Sequence, residues 1–321
     1  MSLLRKINSK AKASIDTGFG ENASSYGGRF LNKDGVANVH KTGLGFLERY
    51  SWFHSMLAIS RTGFFIVILL FYILVNIAFT VLYYLVGVEH LSGLGKTNSG
   101  LELFIETFFF SSQTFTTVGY GRISPVGFAT SAIAAFQALI GLLSFAVATG
   151  LMYGRFSKPT AYLKFSHNAV ITPYKNIKAL MFRVAPFKNT TLTDAQTKVT
   201  LGLTMDENGK TVNRFFPLEL EFEKVNALTL SWTIVHPITE NSPMYDFTEA
   251  DYKNIRGEII VFIKAFDDMF SNTVVARSSY TFAEVVYGAK FLPMYHKSDT
   301  NNSTTLELGK LNSFESISLP S

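Results

Sequence analysis

Two stretches of this chain carry no charged residue: Thr62 to Val88, "TGFFIVILLFYILVNIAFTVLYYLVGV", and Ile123 to Gly154. A helix needs about 20 residues to cross the hydrocarbon core of a bilayer, and both stretches exceed that. Two such runs side by side suit spanning helices better than the buried helices of a soluble core, so the chain is expected to be an integral membrane protein. The flanking charges orient it. Lys41, Arg49 and Arg61 precede the first run, and Arg155, Lys158 and Lys164 follow the second. The connection between them holds Glu89, Lys96, Glu102, Glu106 and one further basic residue, Arg122. The positive-inside tendency therefore places both termini in the cytoplasm, with the chain crossing a plasma or bacterial inner membrane. The opening residues lack the apolar run of a secretory signal, and no cleaved peptide is expected.

Between the spans, "LELFIETFFFSSQT" (Leu101 to Thr114) is apolar but too short to cross the bilayer, which suits a half-helix that re-enters the membrane. "TTVGYG", Thr116 to Gly121, follows directly. Irregular backbone at membrane depth is tolerated only where protein buries it or where it lines a watery path. Gly119 and Gly121 can adopt backbone angles closed to other residues, so successive carbonyls can turn to one side. The carbonyls of Thr117, Val118, Gly119 and Tyr120, with the Thr117 hydroxyl, would form a ladder of oxygen ligands ending at Gly121. Such ladders replace the hydration shell of K⁺ in potassium channels. The half-helix adds the partial negative charge of its C-terminus, which favours a cation. Val118 is expected to pack outward and Tyr120 to brace the loop from behind, with Thr116 and Gln113 as supports. One strand cannot surround an ion, and the chain holds one copy of the motif, so a homotetramer is expected.

The two spans with "TTVGYG" resemble the two-helix potassium channels. "FSHNAVI" (Phe165 to Ile171), "LMFRV" (Leu180 to Val184), "SWTIVHPITENSPMYDFT" (Ser231 to Thr248) and "ARSSY" (Ala276 to Tyr280) make the likeness narrower. They resemble the inward-rectifier potassium channel family, most of all its prokaryotic branch, from about Phe46 to about Phe291. The resemblance implies a helical pore domain joined to an immunoglobulin-like cytoplasmic β-sandwich that extends the pore fourfold. Short alternating runs after Lys158-Pro159 agree with a sandwich: "ALMFRVAP", "KVTLGLTM", "LTLSWTIV", "EIIVFIKAF" and "TVVARSSYTF". Asn208-Gly209 signals a hairpin turn between two of them. The expected boundaries are a mobile tail over 1–45, an interfacial helix over 46–60 and a pore domain over 61–157. Within the last lie an outer helix (about 61–88), a pore helix (about 102–114), the filter (116–121) and an inner helix (about 126–156). The sandwich and a C-terminal tail occupy 158–321.

Helical spacing puts Phe145, Thr149 and Tyr153 on one face of the inner span. The resemblance assigns that face to the pore, with Tyr153 at the cytoplasmic constriction; an interfacial aromatic anchor is the alternative role for Tyr153. Gly141, mid-span, is either a bending point or a helix-contact glycine. Strong rectifiers carry an acidic residue where this chain has Phe145, so weak rectification is expected. Asp267 and Asp268 suit a solvated turn, but the resemblance puts Asp268, and with a gap Asp194, in a cation-concentrating ring. Arg61, Arg155 and Lys158 lie just inside the bilayer, as surface anchors or as ligands for phosphoinositide or another anionic lipid head group.

Other function classes fit poorly. The 321 residues include no cysteine, and the six histidines form no metal or catalytic spacing, so no enzyme is expected. Potassium is the only cofactor-like species implied; no organic cofactor is expected. The net charge of +5 is spread along the chain without a basic stripe, so no nucleic-acid partner is expected. A potassium transporter subunit would carry several filter-like repeats, and a nucleotide sensor a Gly-rich phosphate cradle.

Overall fold

The computed structural model describes residues 7, 29–43, 45, 51–95, 99–207, 210–298 and 302–320. The chain divides into two compact units: Thr42–Lys158, and a discontinuous one formed by Met1–Lys41 with Pro159–Ser321.

The first unit is helical. α1, Trp52–Ala58, is capped by Ser51, whose hydroxyl accepts from the His54 amide. The expected interfacial helix began at Phe46, and residues 46–50 lie outside the described residues. Ile59 is extended and Ser60 caps the next helix through the Gly63 amide, so a two-residue elbow separates α1 from α2, Arg61–Val86. α2 has the length and hydropathy of a membrane span, as does α4, Phe128–Phe156. α2 stops at Gly87, whose φ of 109° no helix can continue. α3, Gly100–Phe115, starts at a Ser99 cap; 16 residues rise about 24 Å, short of the hydrocarbon thickness. Two-residue strands β1 (Leu91–Ser92) and β2 (Ser124–Pro125) pair and close the connection. The three long helices meet around Phe79, Tyr83, Leu91 and Phe110, with the Tyr83 and Phe110 rings edge-on at 5.2 Å.

The second unit is a β-sandwich. Its strands are β3 (Leu163–Phe165), β4 (Ala169–Tyr174), β5 (Ile177–Pro186), β6 (Leu192–Glu207), β7 (Lys210–Pro217), β8 (Lys224–Leu228), β9 (Trp232–Pro237), β10 (Gly257–Asp267), β11 (Asn272–Thr281) and β12 (Val285–Tyr287). One sheet runs β11-β10-β6-β7 with β8 also on β6; the other runs β12-β4-β5-β3 with β9 on β5. Alternation decides the faces. Val199, Leu201, Leu203 and Met205 of β6, Ile259, Val261 and Ile263 of β10, and Leu180, Phe182 and Val184 of β5 fill one core. Each such side chain contributes about 1.5–3 kcal/mol by leaving water. The run "LTLSWTIV", expected as one strand, is two: Leu228 ends β8 in one sheet and Trp232 begins β9 in the other. β6 and β7 pair from Glu207↔Lys210 onward, as the hairpin signal requires, although Asn208-Gly209 themselves lie outside the described residues. A short helix α5, Glu249–Asn254, leads into β10. Strands β13 (Ala289–Phe291), β14 (Tyr295–Lys297), β15 (Thr304–Leu306) and β16 (Phe314–Ser316) add two small hairpin-like pairs, β13–β16 and β14–β15. His236 is buried, with Nδ1 2.6 Å from the Glu219 carbonyl and Nε2 2.8 Å from the Ser242 hydroxyl, tying the loop after β9 to the sheet.

The expectation of a mobile tail over 1–45 is corrected for 29–38. Phe30 and Leu31 are buried, and their amides donate to the buried Glu258 carboxylate at 2.5 and 3.0 Å. Arg29 pairs with Glu284 at 3.0 Å and donates to the Ser279 carbonyl at 2.8 Å. Leu31 bridges Ala37 around a turn. Polar composition masked one apolar pair and one arginine, which are enough to dock the segment on β10 and β11.

Candidate functional site

The stretch Thr116–Gly121 begins where α3 ends. The Thr116 amide and hydroxyl both donate to the Ser112 carbonyl, at 3.0 and 2.9 Å, and close the last turn. The chain then reverses hand at every second residue: φ is 57° at Thr117, 52° at Gly119 and 82° at Gly121, while Val118 and Tyr120 are not in the positive region. Alternating hand is what brings successive carbonyls of an extended strand to one side. A β-branched residue at positive φ is a strained outlier, and such strain clusters at functional sites. Gln113 supports the loop through its main chain: its carbonyl accepts from the amides of Val118 at 3.0 Å and Gly119 at 3.3 Å. Val118 and Tyr120 are 53% and 80% exposed, so the expected bracing of the loop by Tyr120 is not seen within the single chain. Arg122 pairs with Glu106 at 2.8 Å, and Glu106 also accepts from the Gly95 amide at 2.8 Å.

A polar cluster behind the loop was missed in the sequence. Asn76, Thr80, Ser111 and Gln137 are fully buried and, with Tyr83, link α2, α3 and α4. Asn76, Thr80 and Tyr83 are spaced four and three apart, one stripe of a helix, and polar residues on a spanning helix face protein rather than lipid. That spacing was the available signal. Tyr72 and Ser112 are joined hydroxyl to hydroxyl nearby.

On α4, Phe145, Thr149 and Tyr153 share a face that is open in the single chain; Phe145 and Tyr153 are 73% and 74% exposed. Thr149 donates to the Phe145 carbonyl at 2.9 Å. An apolar groove of about 910 Å³ between α2 and α4 takes in Phe145 but not Thr149 or Tyr153 and reaches the base of the loop, lined by Phe71, Phe115, Thr117, Leu143 and Ala148 among others. Gly141 is packed rather than free to bend. A Cβ there would stand 1.8 Å from the Phe115 carbonyl oxygen, so its geometry is that of a helix contact and α4 runs through it unbroken.

Of the three basic residues, Arg61 and Lys158 are exposed, whereas Arg155 is committed to its own chain. Its guanidinium donates to the carbonyls of Met56 at 2.6 Å and Ile59 at 2.8 Å and lies over the Phe64 ring at 4.8 Å. It thus caps the open C-terminal carbonyls of α1. In the β unit, Asp268 is exposed and accepts from the Thr193 hydroxyl at 3.0 Å. Asp267 is buried and accepts from the amides of Met269 and Phe270, so the acidic pair has one structural and one exposed member. Asp194 pairs with Lys224 at 2.5 Å.

Comparison with known proteins bears on most of the chain. A family model described as "Inward rectifier potassium channel C-terminal domain" matches residues 163–321, and one described as "Ion channel" matches residues 68–158. The inward rectifier potassium channel Kirbac3.1 of Paramagnetospirillum magnetotacticum is 31% identical over 289 residues, covering 88% of this chain and 94% of that protein. G protein-activated inward rectifier potassium channel 2 is 26% identical in both Pongo abelii, over 83% of this chain and 67% of that protein, and Mus musculus, over 84% and 68%. Two spanning helices, a β-sandwich and these matches together establish that the chain is a channel rather than an enzyme and belongs to the inward rectifier potassium channel family.

Proposed function

We propose that four copies of this chain assemble around Thr116–Gly121 and conduct potassium selectively and passively across the membrane. The observation that carries the reading is the alternating backbone hand at Thr117, Gly119 and Gly121 at the C-terminal end of a half-length helix. It supplies carbonyl oxygens of Thr117, Val118, Gly119 and Tyr120 in place of water around a dehydrated cation. Val118 and Tyr120, open in one chain, are braced by the assembled tetramer. The open face of Phe145, Thr149 and Tyr153 lines the pore below the filter. Tyr153, one turn from the end of α4, forms the closing ring, sterically or by excluding water. With phenylalanine rather than a carboxylate at 145, blocking cations find no anchor, and rectification is weak. The termini and β unit are cytoplasmic, and Asp268 contributes to a ring that concentrates cations. Exposed Arg61 and Lys158 take an anionic lipid head group. Arg155 acts first as the cap of α1 and reaches lipid only through the guanidinium donors that this cap leaves.

The test is flux through purified protein in liposomes. Rubidium uptake that exceeds sodium uptake by orders of magnitude is expected, and comparable uptake of the two ions overturns the selectivity reading. Tyr153→Ala should raise the resting open fraction; an unchanged fraction returns Tyr153 to an interfacial anchor. Neutralising Arg61 and Lys158 together should weaken the response to anionic lipid, and a full response would move that site elsewhere.

A further inference from the structure

A carboxamide buried at membrane depth calls for a physical reason. Gln137 is 0% exposed even in the single chain. Its Nε2 lies 2.9 Å from the Ser111 carbonyl, 2.7 Å from the Ser111 hydroxyl and 3.4 Å from Asn76 Oδ1. Its Oε1 accepts from the Tyr83 hydroxyl at 2.8 Å. The Ser111 hydroxyl in turn reaches Asn76 Oδ1 at 3.0 Å. Leucine would fill the same space without the cost of desolvating an amide. What hydrogen bonds add, and apolar ridges do not, is a single permitted register between helices.

That register has two points. Gln137 and Gly141 are one turn apart on α4, and they meet Ser111 and Phe115, one turn apart on α3. A hydrogen bond at one point and backbone contact at the other fix both the height and the rotation of the last turn of α3. Between them, on that same turn, lies Gln113, whose carbonyl holds the amides of Val118 and Gly119.

We propose that Gln137 is a positioning residue for ion selectivity: through Ser111 it holds the last turn of α3 in the one register that sets the carbonyl spacing at Thr117–Tyr120. This rests on the reading of Thr116–Gly121 as the filter. Discrimination between two monovalent cations depends on ligand placement to fractions of an ångström, so a loosened turn costs selectivity before it costs conduction.

The test uses the full chain as a purified tetramer in liposomes, with rubidium and sodium uptake measured on the same preparation. Gln137→Leu is expected to lower the rubidium-to-sodium ratio roughly tenfold, the equivalent of one net hydrogen bond. Tyr83→Phe removes one hydroxyl and keeps the ring, and is expected to lower the ratio by a smaller factor. The double variant should be no worse than Gln137→Leu alone, because both act through one carboxamide. An assembled Gln137→Leu tetramer whose total flux drops with its ratio unchanged has lost only a structural contact, and this overturns the proposal. Should Gln137→Leu fail to assemble, Tyr83→Phe decides, and a wild-type ratio there overturns it equally. A wild-type channel that does not distinguish the two ions sinks the filter reading itself, a separate outcome.

Discussion

Alanine at Gly141 tests how the inner and pore helices meet. A methyl group at Gly141 lands 1.8 Å from the Phe115 carbonyl oxygen and 2.8 Å from its carbonyl carbon. Real contacts of this kind stay above 3.0 Å, so the two backbones must part by about 1.2 Å. Both partners are main chain, and no rotamer change absorbs the overlap. Overpacking a close-packed interior costs about 1–3 kcal/mol, and displacement of backbone puts this case near the upper end, about 3 kcal/mol. Phe115 immediately precedes Thr116, so the shift passes straight into Thr116–Gly121. The assay is thermal disassembly of the purified tetramer, followed by size-exclusion chromatography, with rubidium flux per assembled tetramer alongside. Gly141→Ala should disassemble at clearly lower temperature and lose flux per tetramer. Gly150→Ala, whose added carbon meets no other described part of the chain within 4 Å apart from its own stretch of helix, should do neither. If Gly141 were a bending point, alanine would stiffen α4 and leave the assembled channel as stable as wild type. Wild-type disassembly with a reduced open fraction would therefore refute the packing explanation.

Three further outcomes are expected. Gly119→Ala should abolish rubidium flux without preventing assembly, because φ of 52° is strained for a residue with a Cβ; normal flux would contradict the alternating-hand filter. Burial pushes the His236 pKa down to about 4, against 6.5 for an exposed imidazole, so the unfolded chain takes up the proton first and stability falls as pH drops from 6.5 toward 4. The loss is on the order of 3 kcal/mol and should appear in denaturation of wild type but not of His236→Gln; parallel pH profiles for the two would contradict it. Glu258→Ala removes the acceptor of two buried amides, and each amide left without a partner costs about 1–3 kcal/mol, so the 29–38 segment should become open to limited proteolysis. A wild-type cleavage pattern would show that Arg29 and the Phe30 contacts suffice.

How much was legible in the sequence depended on whether a signal was local. Two charge-free runs became α2 and α4 because length and the lack of charge decide membrane spans almost alone. The half-length helix α3 was legible from an apolar segment too short to cross, and the positive φ of Gly119 and Gly121 from the glycine spacing, whereas that of Thr117 was not. "LTLSWTIV" was not, because unbroken alternation is silent about a strand that changes sheets between Leu228 and Trp232. Docking of Phe30 and Leu31 depends on Glu258, more than two hundred residues away, which no local pattern reveals. Arg155 looked like a surface cation because the carbonyls it caps belong to another helix. Gln137 is a lone amide in an apolar run, and only its alignment with Ser111 and Tyr83 shows its place.

The docking of residues 29–38 onto strands β10 and β11 makes the membrane segment an insertion within the β unit: the chain leaves that body near Lys41 and rejoins it at Pro159. The β unit is thus built from sequence on both sides of the helical segment. A β unit made from Pro159 onward alone would leave the buried Glu258 carboxylate without the two amides it accepts from.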